Sequence, residues 1–114
     1  MPDAWLDLDI ELKARLREAL NNPQRPLTES ELRKLTEEGR ACTLILHAEL
    51  DRLEGRLAEL DSDPDSSLGA IADAFRRFNA FRAHVDELDQ LLAAFDDRAR
   101  EVRTSWKRQA VERL

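Results

Sequence analysis

Between Ile71 and Trp106 the residues Ile71, Phe75, Phe78, Phe81, Val85, Leu88, Leu92, Phe95, Ala99, Val102 and Trp106 recur at steps of three and four. That spacing is one face of an α-helix. All four phenylalanines of the chain lie on it, no proline follows Pro64, and no glycine follows Gly69. The pattern predicts one helix over residues 67–112, roughly 60–70 Å long at 1.5 Å per residue.

A second stripe runs through Leu32, Leu35, Gly39, Cys42, Leu46, Leu50, Leu53, Leu57 and Leu60. It predicts a helix over about 28–60, opened by Thr28 as N-cap with Glu31 three residues on, a capping box. Two consecutive steps of four, Cys42 to Leu46 to Leu50, make a stutter that locally unwinds a left-handed supercoil. Around the stutter Ala41, Leu44, Ile45 and Ala48 are apolar on the opposite side. A helix apolar all round is contacted all round, so these four residues form a candidate second face, for a helix formed by the N-terminal residues or for another copy of the chain.

Residues 3–20 carry Trp5, Leu8, Leu12, Leu16 and Leu20 on one face, with Leu6 and Ile10 beside it. Asp3, Asp7, Asp9 and Glu11 precede Lys13, Arg15 and Arg17, an order that complements a helix dipole. This predicts a short helix that folds back over helix 2, with Trp5 and Leu8 near Leu44 and Ala48. The breakers are a linker over 21–27, holding Pro23 and Pro26, and a turn over 61–66 around Pro64. Short connections make the helices they join antiparallel neighbours. If Leu57 faces Ile71, Leu46 comes level with Arg82, between Phe81 and Val85.

The expected fold is therefore all-α: an elongated antiparallel helical hairpin with a short N-terminal helix packed on it, resembling a three-helix bundle, in a single domain over 1–114. Composition agrees. Of 114 residues, 37% are charged and 42% hydrophobic, with three glycines and four prolines, as in bundles and coiled coils. Strand signals are missing. No apolar run reaches the ~18 residues of a membrane span. The start, Met-Pro-Asp-Ala-Trp, lacks the basic and apolar blocks of a secretory signal, so a cytoplasmic protein is expected. The net charge of −6 weighs against nucleic acid as a partner, because phosphate contact needs Lys and Arg. A lone Cys42 excludes an intrachain disulfide and reads as a small apolar side chain.

Candidate chemistry is sparse. His47 and His84 are the only histidines; without a His-x-x-x-His or Cys-x-x-Cys pair they give no closed zinc set. The segment Leu46-His47-Ala48-Glu49-Leu50-Asp51 is similar to the phospho-accepting helices of two-component phosphotransfer proteins. That resemblance covers six residues and lacks the Lys-Gly that follows the histidine there; it implies phosphotransfer through His47. Asp61, Asp63 and Asp65 superficially resemble a calcium loop, without its sixth-position glycine and twelfth-position glutamate. Other carboxylates fall on polar faces, where nothing splits their pKa values. No catalytic residue, cofactor or small-molecule substrate is expected.

The remaining features point to protein partners. The helix 3 stripe is longer than helix 2 can cover. Its last stretch is basic in an acidic chain and carries Val102, Arg103, Trp106, Lys107, Ala110 and Val111, a candidate partner surface. The expectation is a non-enzymatic protein-protein interaction module (a small adaptor, assembly factor or chaperone-like subunit) that self-associates. The alternatives are phosphotransfer through His47 and a nucleic-acid-associated or regulatory subunit with a local basic stripe of Arg76, Arg77, Arg82 and the tail.

Overall fold

The computed structural model describes residues 4–22 and 27–114, with side chains from Asp7 onward. It contains three helices, α1 (Ala4–Asn21), α2 (Glu29–Ser62) and α3 (Leu68–Glu112), and no strand among the described residues. The molecule measures 73 × 21 × 18 Å, a rod the length of α3. The bounds differ from the sequence expectation by one or two residues, the ordinary uncertainty of helix ends. Thr28 caps α2, its Oγ1 accepting from Glu31 N at 3.1 Å. Ser67 caps α3, accepting from Ala70 N at 3.1 Å. The linker prolines Pro23 and Pro26, and the side chains of Trp5 and Leu6, lie outside the described residues.

α2 and α3 run antiparallel, with a register that differs from the expected one. Arg103 Nε and Nη2 donate to Glu29 at 3.3 Å each, and Gly39 lies directly against Leu92. The expected register sets Gly39 level with Asp89, so the true pairing is shifted by three residues, nearly one turn. The cause is at the turn. α2 continues through Ser62, the residue before Pro64 leaves the helical region as pre-proline sterics require, and Ser67 starts α3. The hairpin therefore pivots near Asp65 rather than Pro64. Seven residues along from Gly39 and Leu92, Val85, not Arg82, is level with Leu46; both are fully buried.

α1 lies over one flank of the hairpin. Arg15 pairs with Glu38 of α2 at 2.5 Å; Lys13, at 3.7 Å, and Arg17 both reach Glu87 of α3. Leu12 and Leu16 are buried as expected, but Leu8 is 57% exposed and Ile10 is also exposed. Asp9 and Lys13 are buried instead. The correction follows from helix geometry. A row at strict steps of four drifts about 40° round the helix per step, so one straight partner surface cannot cover it from Leu8 to Leu20. The covered face is the one through Asp9, Leu12, Lys13 and Leu16.

The second face of α2 is corrected too. Leu8 sits beside Ala41 and Ile45, around a cavity of about 340 Å³ that Leu12, Arg15, Glu38 and Cys42 also line. Leu44 is on the other flank, in a groove with Leu92 and Ala93, and is 73% exposed; Ala48 is also exposed. Neighbouring residues on a helix point about 100° apart, so α1 reaches the side of Ile45, which still stays 52% exposed, and does not reach that of Leu44.

The core follows the position of α1. Its buried side chains are Leu12 and Leu16 of α1, Leu32, Leu35 and Leu46 of α2, and Phe81, Val85, Leu88, Phe95 and Ala99 of α3. Past Leu46, α2 has no fully buried residue, and α3 has none before Phe81. The rod is a three-helix bundle at one end and a bare two-helix arm at the other.

Candidate interaction surfaces

The arm exposes apolar surface because two helices cannot enclose a stripe that three can. Leu50, Leu53, Leu57 and Leu60 of α2 and Ile71, Ala74 and Phe78 of α3 are half-buried. Phe75 is 52% exposed and Leu68 85%. A groove of about 260 Å³ runs between the helices, lined by Leu53, Arg56, Leu60, Ala70, Asp73, Ala74 and Arg77. Sequence reasoning did not single out this arm, although its signal was present. α1 has 18 residues against the 34 of α2, so at equal rise it covers about half of the hairpin.

At the opposite end α3 passes the first turn of α2 at the Arg103–Glu29 pair and continues to Glu112. The six residues predicted there divide into two sets. Val102, Arg103 and Trp106 are half-buried, Val102 and Trp106 being packed against the core. Lys107, Ala110 and Val111 are exposed.

The two ends carry opposite charge. Residues 59–73, around the turn, include Glu59, Asp61, Asp63, Asp65 and Asp73 and no basic residue. Residues 98–114 include Arg98, Arg100, Arg103, Lys107, Arg108 and Arg113 against Glu101 and Glu112. Part of this basic group is neutralised locally: Arg98 reaches Glu101 at 3.6 Å, and Arg100 reaches Asp97 at 3.1 Å. Among the described residues Lys107, Arg108 and Arg113 are in no ion pair. The other predicted basic group is weaker than its sequence suggests, because Arg76 is bonded to Asp73, and Arg82 lies 3.9 Å from Asp86.

The titratable groups are dispersed. His47 Nε2 lies 3.0 and 3.2 Å from the two carboxylate oxygens of Asp89, tying α2 to α3 at the surface. His84 is exposed, and among the described residues no group of three His, Cys, Asp or Glu is placed to hold a metal ion. Burial pushes the Cys42 thiol up, the Asp9 carboxylate adds to this, and Lys13 opposes it. The thiolate, the reactive form, is correspondingly scarce. Asp9 Oδ2 and Lys13 Nζ are 2.9 Å apart with both side chains almost fully buried. Apart from that ion contact, neither Asp9 oxygen has a hydrogen-bond partner among the described residues.

No helix among the described residues is long and apolar enough to cross a membrane. No family model matches the chain, and comparison with curated proteins and with solved structures gives no match.

Proposed function

We propose that the chain is a non-enzymatic protein-interaction module, a small helical adaptor, assembly factor or chaperone-like subunit, that also associates with itself. One observation carries the reading: the buried core stops where α1 stops, and the apolar stripes do not. Leu68, Phe75 and Val111 are left in water on α3, a regular helix capped by Ser67. Exposed apolar surface on rigid helices is what a partner helix recognises through anchors at steps of three and four. The reading requires no cofactor or metal. A nucleic-acid role through Arg76, Arg77 and Arg82 has less support, because Arg76 and Arg82 each face a carboxylate of their own helix. Phosphotransfer has only the surface position of His47 in its favour, and Asp89 holds that ring.

The test is whether these surfaces bind protein. The purified chain is followed by light scattering over a concentration series, and a tagged chain is compared with its Trp106→Ala and Phe75→Ala variants for retention of protein partners, itself included. Association that either variant weakens supports the reading. A chain that stays single at every concentration, and whose variants retain the same proteins as the parent, contradicts it.

A further inference from the structure

We infer that the bare arm of one chain is covered by the basic α3 end of a second, antiparallel copy, an extension that rests on the self-associating reading above. Each surface lacks what the other supplies. The arm is a two-helix groove without a third helix, and α3 beyond Arg103 is a third helix without a groove. Their lengths agree: from Leu50 to Leu60 the arm spans about 15 Å, and α3 from Thr104 to Glu112 about 12 Å. Their charges are complementary: residues 47–80 carry eight carboxylates against Arg52, Arg56, Arg76 and Arg77, with the excess gathered at the turn in Asp61, Asp63 and Asp65, and the α3 end offers Lys107, Arg108 and Arg113 against Glu112.

One chain cannot satisfy itself, because the two surfaces lie at opposite ends of a 73 Å rod. A two-fold axis across the rod makes both contacts at once, each arm receiving the partner's α3 end, and closes the assembly at two copies. The exposed charges orient the pair, and the apolar contacts of Val111 with Leu53, Leu60 and Ala74 of the groove supply most of the attraction.

Charge exchange tests this. One full-length variant carries Lys107→Glu and Arg108→Glu; a second carries Asp61→Lys and Asp65→Lys. All four positions are exposed, and circular dichroism verifies that both variants are as helical as the parent. The parent is expected to reach twice the single-chain mass of 13.1 kDa, with an association that weakens as salt rises. Each variant alone is expected to associate at least about tenfold more weakly, since both of its contacts pair like charges. An equal mixture of the two is expected to regain the double mass, because both contacts in the mixed pair are again between opposite charges. A parent that dimerises while either variant does so equally well overturns the antiparallel contact and leaves the interaction-module reading standing. Failure of the mixture to recover, or a parent that stays at single-chain mass, also overturns it; in the latter case the interaction-module reading is decided separately by the Trp106→Ala and Phe75→Ala comparison.

Discussion

Gly39 and Gly55 lie on the same helix, and their surroundings give them different roles. A Cβ built on Gly55 meets nothing within 4 Å. Gly55→Ala should therefore gain the full helix-propensity difference, about 1 kcal/mol, as a raised denaturant midpoint. At Gly39 the same Cβ collides with the Leu92 side chain. Gly39→Ala should gain less than Gly55→Ala in the same measurement, because Leu92 must turn aside. Asp9 and Lys13 are the costlier pair. Removing one partner of a buried ion pair leaves a bare charge, so Asp9→Ala should cost about 3–5 kcal/mol in chemical denaturation, whereas Asp9→Leu with Lys13→Leu should cost far less. The burial of this pair was not legible in the sequence. An aspartate in the first turns of a helix and a lysine after it suit the dipole on any surface helix, and the leucines at steps of four pointed to a face that only half matches the covered one. Gly39, by contrast, was legible as a member of the α2 stripe, although only the register shows which residue fills the space it leaves.

The helices themselves were open to sequence reasoning, and the relations between them less so. Period, caps and breakers acting locally define α2 and α3; the Thr28 cap and the turn at Pro64 illustrate this. The register depends on where the hairpin pivots, and a turn that closes at Asp65 instead of Pro64 moves every cross-helix pair by most of a turn. Coverage depends on α1, whose flank and reach are tertiary properties. The contrast along α2 can be measured. Leu46 is fully buried in the bundle core, and Leu57 is half-buried in the arm. At low protein concentration Leu46→Ala should destabilise by about 3–5 kcal/mol, and Leu57→Ala by about half as much, because less surface leaves water and no closed cavity remains. Equal costs would mean that the arm is enclosed as well as the bundle.

At the scale of the whole molecule, the rod is unequal along its length: a closed three-helix bundle, an open arm bearing carboxylates at its turn, and a basic α3 end. The candidate tail of Val102, Arg103, Trp106, Lys107, Ala110 and Val111 was visible in the sequence as a surplus of stripe. The arm was not singled out, because half-covered positions obey the same three-and-four spacing as covered ones, and spacing alone does not say how many helices share a groove. Both surfaces are answered by the same measurement, amide hydrogen exchange over a protein concentration series. Local protection reports how hard each segment is to open. Residues 32–46 and 81–99 should be protected at every concentration, while 50–80 and 104–112 exchange quickly when dilute and gain protection together as concentration rises. An arm as well protected as the bundle in dilute solution, or an arm and α3 end whose exchange never changes with concentration, would contradict the account.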